Sequence, residues 1–461
     1  MKFADAFCLL RNSALWNWLL MLGCICAAAS APAAELLSDR PSIVFIMADD
    51  LGWADVQFHG GTVPTPHLNR LLAEGQELTQ HYVAPLCTPT RTGLLSGRFW
   101  SRFGVTKPQN PRVFSADTVT LPKALQAVGY DTCLVGKWHL GSHPDDGPQH
   151  FGFEHSYGSL AGGVGPWNHR YKEGPFSETW HRGGRLLRES GHVTDLLCRE
   201  AVDWIEARAA DVPFFLYVPM TAVHLPVKEP EEWLARVPAS IQGEVPRHYA
   251  ACVMHLDDAV GQIVAAIERT GRRQRTLIVF TSDNGGSTAE NHDPKYPEDD
   301  YPKGALPGSN RPLRGEKGEL YEGGIRVPTV VSWPGKLTPG LMKSPVHICD
   351  WMPTLCGLAG AVNGEGLSWD GEDLWPLLTG QRQMRGKAMY WTAPEFRSRA
   401  VRQGDWKLLE KRNGAEMDYQ LFDLGKDPEE RTDLASSEVE RVRVLRDLLE
   451  QISRGDVRKA D

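Results

Sequence analysis

Five short segments of the chain carry side chains that could do chemistry together. They are Asp49-Asp50, Cys87-Thr88-Pro89-Thr90-Arg91, the GKWHLG segment 136–141, the SDNGG segment 282–286 and Gly315-Glu316-Lys317. Between them they offer acidic and amide oxygens, one thiol, and several Lys, Arg and His side chains. Such a set could bind a cation, present a nucleophile and stabilise developing negative charge. Because a Cys beside Pro and Arg is also common in ordinary loops, the inference depends on the other four segments.

The oxygen-bearing residues indicate a hard metal ion. Asp49, Asp50, Asp283 and Asn284 offer only oxygen ligands, and such ligands favour Ca²⁺ or Mg²⁺ over Zn²⁺. The alternative is that these residues only form turns and helix caps, where Asp and Asn are common.

Short apolar runs predict the scaffold that positions these segments. Runs at 42–47, 132–135, 214–218 and 276–280, with a weaker fifth at 329–333, are typical of strands buried on both faces. Helical patterns lie between them at 121–128, 193–208 and 247–270. Strands that alternate with helices predict an α/β fold with a largely parallel sheet.

Polar residues follow four of these strands, directly or within six residues: Asp49-Asp50, then Lys137 and His139, then His224, then Asp283-Asn284. In open α/β sheets, ligands bind outside the carboxyl ends of the strands. The four clusters are therefore expected to meet in one site, which favours an enzyme.

In this order and at these separations, the motifs resemble the sulfatase family of the alkaline-phosphatase-like superfamily, from about Pro41 to the C-terminal tail. The resemblance implies a large, mostly parallel sheet sandwiched by helices, with a small C-terminal subdomain of antiparallel sheet plus helix. It implies a signal peptide at 1–34, a catalytic domain at 35–375 and the small subdomain at 376–461. The implied activity is hydrolysis of a sulfate ester to an alcohol and inorganic sulfate.

The resemblance also implies a role for Cys87. A maturation enzyme would oxidise it to formylglycine, whose hydrate would attack the sulfur of the ester. One Ca²⁺ would be bound by Asp49, Asp50, Asp283, Asn284 and the modified Cys87. The commonest version of the motif has Ser where this chain has Thr90, and both residues carry a small hydroxyl group.

The remaining roles are likewise implied by the resemblance. Arg91 and Lys137 would hold the formylglycine hydrate in place. His139 would be the base that collapses the hemiacetal and expels sulfate, since His titrates near neutral pH. His224 and Lys317 would bind the sulfate group of the substrate.

Two long loops favour a sulfated carbohydrate over a simple aryl sulfate. The segment 167–192 contains several Trp, His and Arg residues, which could stack on sugars or bind further sulfates, although a solvated loop is the alternative. The loop 286–314 lies next to the predicted metal ligands. The other functions considered are a phosphonate monoester or phosphodiester hydrolase, and a non-catalytic protein that binds sulfated glycans.

Composition and the N-terminus bound the class of protein. A formal net charge of -8 argues against a nucleic-acid binder. Lys2, Arg11 and an apolar stretch at 14–29 predict an export signal cleaved near Ala33 or Ala34, hence a periplasmic or secreted protein. An uncleaved anchor or a lipoprotein are the alternatives, and no later stretch is expected to be long and apolar enough to span a membrane. Six cysteines follow the signal, and most of the five other than Cys87 are predicted to be buried thiols, since free Cys often behaves as a small hydrophobe.

Overall fold

The computed structural model describes residues 40–297, 300–361, 368–414 and 416–458. The predicted signal peptide at 1–34 lies outside these ranges. The strands are β1 (Ser42–Ala48), β2 (Gln76–Leu78), β3 (His81–Tyr82), β4 (Asp131–Lys137), β5 (His155–Ser159), β6 (Trp180–Arg182), β7 (Arg185–Leu186), β8 (Phe214–Pro219), β9 (Thr276–Ser282), β10 (Val330–Ser332), β11 (Gly340–Met342), β12 (Val346–His347), β13 (Met389–Thr392), β14 (Ser398–Gln403), β15 (Trp406–Asn413) and β16 (Glu416–Asp423).

The α-helices are α1 (Pro66–Ala73), α2 (Cys87–Ser96), α3 (Leu121–Gln126), α4 (Val193–Glu206), α5 (Glu231–Leu234), α6 (Glu244–Arg269), α7 (Glu322–Ile325), α8 (Trp351–Ala359), α9 (Trp375–Leu378) and α10 (Val439–Ser453). The three helices predicted between the strands correspond to α3, α4 and α6, and their ends differ from the prediction by no more than three residues.

The predicted apolar strands form the centre of one large sheet. Its strand order is β11-β2-β10-β9-β1-β8-β4-β5-β6-β7, and the run from β9 to β5 is parallel. The four strands predicted with most support are therefore direct neighbours, β9-β1-β8-β4. The fifth, β10, pairs antiparallel with β9. The prediction of a mostly parallel sheet is confirmed.

Helices cover both faces of this sheet. Strand β1 shows why its sequence is apolar throughout: Ile43, Phe45 and Met47 enter one core, while the alternate residues Val44 and Ile46 enter the other. Helices α4 and α6 pack on the second core, and α2 and α8 pack on the first. Successive side chains of a strand point to opposite faces, so a strand between two helical layers needs no polar residues.

The C-terminal part of the chain forms a separate four-stranded antiparallel sheet, β13-β14-β15-β16, with α10 packed against β14 and β15. This confirms the predicted small sheet plus helix. Strands β14 and β15 are joined by a two-residue turn at Gly404-Asp405. Gly404 has a φ of 59°, a left-handed conformation that glycine adopts without a steric penalty.

Helix α6 is the one described helix that is long and apolar enough to cross a membrane by length and composition, and 72% of its most apolar window is buried inside the protein. The expectation that no stretch after the signal would meet this criterion is therefore wrong. The apolar face of α6 packs against α4 and the sheet, as in the core helix of a globular protein.

Helix α6 also carries a buried histidine between two carboxylates. His255 Nδ1 lies 2.8 Å from Glu229 Oε2, and its Nε2 lies 3.0 Å from Asp195 Oδ1 on α4. Its ring stacks on Trp233 at 4.5 Å. Burial alone would lower the pKa of His255, but the hydrogen bonds to Asp195 and Glu229 raise it to about 9.

We expect this histidine to make the protein less stable above neutral pH. Because the pKa is higher in the folded than in the unfolded state, the stabilisation is complete below pH 6.5 and is lost as the pH rises through about 9. At about 1.4 kcal/mol per pKa unit, the loss is at most about 3 kcal/mol. Urea unfolding at several pH values measures this loss in the free energy of unfolding. His255→Gln should flatten the dependence of that free energy on pH. An identical slope in the variant would contradict this origin.

Candidate active site

The metal-ligand candidates follow two neighbouring parallel strands. Asp49 and Asp50 follow β1, and Asp283 and Asn284 follow β9, so the four residues leave the same edge of the sheet. The two loops are joined, since the Asp50 amide donates to Asp283 Oδ1 at 3.3 Å. Asn284 Nδ2 donates to Asp50 Oδ1 at 2.8 Å. The convergence expected from the strand pattern is therefore present.

Three buried cations meet the three carboxylates of these loops. Arg91 Nη2 lies 2.7 Å from Asp283 Oδ2, Lys137 Nζ lies 2.6 Å from Asp49 Oδ2, and Lys317 Nζ lies 2.6 Å from Asp50 Oδ2. The carboxylates and the Arg91 and Lys137 side chains are almost fully buried, and Lys317 is only 18% exposed. Buried charges of this kind are stable only when they are paired. The pairing leaves the protein part of the site close to neutral overall.

Cys87 begins helix α2 and faces a histidine. Its Sγ lies 3.2 Å from His139 Nδ1, and burial raises the pKa of the thiol. Arg91 lies one turn later on the same helix and donates to the Lys137 carbonyl at 2.7 Å. The helix therefore places the predicted nucleophile and a guanidinium on the same side, as expected for residues four apart.

Thr90 explains why the segment needs a hydroxyl residue at this position. Its Oγ1 donates to the Asp283 carbonyl at 2.6 Å and accepts from the Ala84 amide at 2.9 Å. It thus joins helix α2 to the metal-ligand loop. Serine carries the same group, so Thr90 preserves the contact of the commoner motif. The sequence indicated that Ser and Thr are equivalent at position 90, but it did not predict the hydrogen bond to the Asp283 carbonyl.

Two histidines complete the site. His224 Nε2 lies 3.8 Å from Asp50 Oδ2, and potential ligand atoms of Asp49, Asp50 and His224 lie within 4.8 Å of one another. Burial lowers the pKa of both His139 and His224, and the neighbouring lysines lower it further. Both histidines are therefore neutral near pH 7. Every residue predicted for the site lies in this one cluster.

The site fits a divalent cation held by oxygen ligands. Asp49 Oδ1 and Asn284 Oδ1 are buried oxygens without a hydrogen-bond partner among the described residues. Burial and the repulsion from Asp283 raise the pKa of Asp49 to about 7, whereas Lys317 holds the pKa of Asp50 below its usual range. Unsatisfied buried oxygens are costly unless something binds them. A bound divalent ion would satisfy them and would make the site net positive toward an anionic substrate.

Glycines outside the predicted motifs allow this packing. A Cβ at Gly162 would lie 2.4 Å from His139 Nε2, and one at Gly163 would lie 2.5 Å from the hydroxyl of Tyr296. Any larger residue would displace these groups. Gly162, Gly163 and Tyr296 were not among the predicted site residues. For the two glycines, the run of small residues at 161–165, shortly after β5, is a signal of close backbone approach.

The segment 167–192 is more ordered than a solvated loop. It contains β6 and β7, and Trp180 and His181 are buried. Arg170 pairs with Glu178 at 3.0 Å, and Arg182 pairs with Glu200 at 2.6 Å. These arginines would have to leave a carboxylate to bind a sulfate. Trp167 is 43% exposed and is free to contact a ligand with its ring.

Comparison with known proteins decides the family. The family model described as Sulfatase matches residues 41–361, which include every residue of the site. The chain belongs to the sulfatase family. This confirms the resemblance and the enzyme class predicted from the sequence, a sulfuric ester hydrolase. A second model, described as N-sulphoglucosamine sulphohydrolase, C-terminal, matches residues 316–457 and so includes the small antiparallel sheet of this sulfatase.

Individual sulfatases are similar along most of this chain. Arylsulfatase J of Mus musculus is 33% identical over 381 residues, which cover 80% of this chain but only 60% of that relative. N-acetylgalactosamine-6-sulfatase of Mus musculus is 32% identical over 391 residues, covering 79% of this chain and 70% of the relative. The solved structure of Ps i-CgsB in complex with k-i-k-neocarrahexaose has a TM-score of 0.81 and 30% identity, and the match covers 91% of this chain and 94% of that one.

Proposed function

We propose that this protein hydrolyses a sulfate ester on a sulfated carbohydrate. The observation that carries the proposal is the convergence of Arg91, Lys137 and Lys317 on a buried carboxylate cluster, beside Cys87 and His139. Positive groups fixed before the reaction stabilise negative charge more effectively than water, which must reorient. An anionic ester of tetrahedral shape fits such a site, even though the protein as a whole is acidic.

Each side chain would have a distinct task. Lys317 follows the 286–314 loop and His224 follows β8, and both lie next to Asp50. These two side chains would hold the sulfate oxygens. Arg91 and Lys137 anchor the loops and offset the carboxylates behind the nucleophile. His139 Nδ1 is next to Cys87 and would remove a proton from the residue at that position when sulfate is released.

A metal ion and a modified Cys87 would complete the site. The residues that would hold Ca²⁺ are Asp49, Asp50, Asp283, Asn284 and the modified Cys87. When bound, Ca²⁺ acts as a Lewis acid toward sulfate oxygen, and formylglycine supplies a hydrated aldehyde as the nucleophile. A formylglycine-generating maturation enzyme is therefore a required partner. The unpaired oxygens of Asp49 and Asn284 support the metal, and the position of Cys87 against His139 supports the nucleophile.

Relatives support a carbohydrate substrate. One is called an N-acetylgalactosamine-6-sulfatase, and a structural neighbour binds k-i-k-neocarrahexaose.

We further propose that the chain is exported by the signal at 1–34, with the catalytic domain at 35–375 and the small subdomain at 376–461. The apolar core is continuous across the second boundary, since residues of β1 and of β14 belong to one cluster. The two parts are therefore expected to fold as one unit.

A substrate panel tests the proposal. It comprises k-i-k-neocarrahexaose, N-acetylgalactosamine 6-sulfate and 4-nitrophenyl sulfate, with a phosphonate monoester and a phosphodiester as controls. We expect release of inorganic sulfate from at least one sulfated sugar, at a kcat/KM above that for either control. Faster cleavage of the phosphonate or phosphodiester would favour the alternative hydrolase. Binding of the sugars without sulfate release by matured protein would favour a non-catalytic glycan-binding protein.

A further inference from the structure

Tyr296 has a buried hydroxyl group that nothing in the described part of the protein satisfies. The residue is 2% exposed, and its hydroxyl oxygen has no hydrogen-bond partner among the described residues. A buried hydroxyl without a partner destabilises a folded protein, and a phenylalanine of the same shape would avoid that cost. An unpaired buried hydroxyl is therefore a feature that calls for a ligand.

The hydroxyl lies beside the active site. A Cβ built on Gly163 would be 2.5 Å from the Tyr296 hydroxyl and 3.4 Å from His224 Nδ1. Both groups thus pack against the same glycine, which has no side chain to separate them. The opposite nitrogen of His224 faces Asp50 at 3.8 Å. The hydroxyl therefore shares Gly163 with Nδ1 of His224, the ring nitrogen that does not face Asp50.

The ring of Tyr296 is fixed in this position. The rings of Tyr171 and Tyr301 pack edge to face against it, with ring centroids 6.0 Å and 6.4 Å away, respectively. Lys172 Nζ lies 5.7 Å from the ring centroid and is itself held by Asp293 at 2.6 Å. The hydroxyl is therefore preorganised and cannot turn away to find another partner.

We propose that the Tyr296 hydroxyl binds a hydroxyl group of the sugar that carries the scissile sulfate, and that Tyr296 is a specificity-determining residue. The inference rests on the proposed function. Lys317 and His224 are already assigned to the sulfate in the proposed function, and a neutral phenol suits a neutral sugar hydroxyl. A site built to hydrogen-bond a substrate hydroxyl discriminates strongly against substrates that lack it, because its own polar group is then left unpaired.

Tyr296→Phe tests the proposal by comparing two substrates and the stability of the fold. On a sulfated sugar that the wild type hydrolyses, we expect kcat/KM to fall about tenfold, the effect of one lost hydrogen bond. On 4-nitrophenyl sulfate, which has no sugar hydroxyl, we expect a change of less than about twofold. The melting temperature should stay the same or rise, because the variant removes an unsatisfied group.

Tyr130→Phe is the matched control. The Tyr130 hydroxyl is also buried, but it donates to the Pro41 carbonyl at 2.8 Å, before the start of β4 and at the far end of the sheet from the site. This variant should lower stability and leave turnover of both substrates unchanged. Unchanged stability in Tyr296→Phe, together with slower turnover of the sugar substrate, would support a ligand-binding hydroxyl.

An equal loss on both substrates, or no loss on either, would overturn the inference. A marked fall in the melting temperature would also overturn it, because the hydroxyl would then have an internal partner. If the wild type releases no sulfate from any sugar of the panel, the proposed function itself fails. A wild type active on sugar with an equally active Tyr296→Phe variant removes only the role of Tyr296.

Discussion

Replacing Cys87 with Ala is expected to abolish turnover while leaving the fold intact. Cys87 lies against His139 and is surrounded by paired charges, yet its thiol is buried and its pKa is raised. An unmodified thiol of this kind is a poor nucleophile at neutral pH. Loss of a covalent nucleophile typically costs a factor of about 10⁴ to 10⁶ in kcat. The melting temperature should change little, because Ala fills most of the same volume.

Mass spectrometry of the peptide that contains position 87 provides the second half of this test. In active wild-type protein, the residue should be lighter than cysteine by the difference between a thiol side chain and an aldehyde. Cys198→Ala is the matched control, since Cys198 is also a buried free thiol but lies on α4, away from the site. It should leave turnover unchanged. A fully active protein whose Cys87 is entirely unmodified would refute the nucleophile proposed here.

Removal of the metal is expected to have the second largest effect. Chelation should abolish turnover, and Ca²⁺ should restore it better than Zn²⁺, because all the protein ligands are oxygens. Ca²⁺ should also stabilise the fold, by about 2.7 kcal/mol when its free concentration is 100 times its dissociation constant. This second readout does not depend on activity, so it tests the metal site even in protein that lacks formylglycine.

Asp283→Asn tests whether the Asp283 carboxylate belongs to that site. The variant keeps the size of the side chain but removes one negative charge from the cluster, and it leaves Arg91 without its charged partner at 2.7 Å. We expect a much weaker Ca²⁺-induced stabilisation and a parallel loss of turnover. Asp258→Asn, an acidic residue on α6 away from the site, should retain both. Full activity of metal-free wild-type protein would rule out a catalytic role for the metal.

The central sheet and the convergence of the site could be predicted because both depend on local sequence patterns. Strands buried on two faces are apolar throughout, as β1 is, and polar residues directly after them must lie at the strand ends. Neighbours such as Asp49 and Asp283 then meet because β1 and β9 pair in parallel. No knowledge of the loops is needed for this step.

Helix α2 and Tyr296 could not be predicted in the same way. The sequence of α2 contains Pro89 and Gly93, and residues of these types have low helix propensity. The helix forms because all its residues are buried against the rest of the protein, and Pro89 lies in its first turn, where an amide donor is not needed. Tyr296 packs against Gly163 only because the 286–314 loop folds back over that glycine, a long-range contact with no local signal.

The burial of helix α2 bears on when the proposed oxidation of Cys87 could take place. Every residue from Cys87 to Ser96 is buried, so a modifying enzyme could reach neither the thiol nor the adjacent backbone once the chain has folded. On the mechanism proposed here, oxidation of Cys87 would therefore have to precede folding. A chain that folded first would keep a thiol at position 87 for as long as it stayed folded. The active fraction of a preparation would then depend on the relative rates of oxidation and folding, and a folded, inactive molecule could be activated only after unfolding.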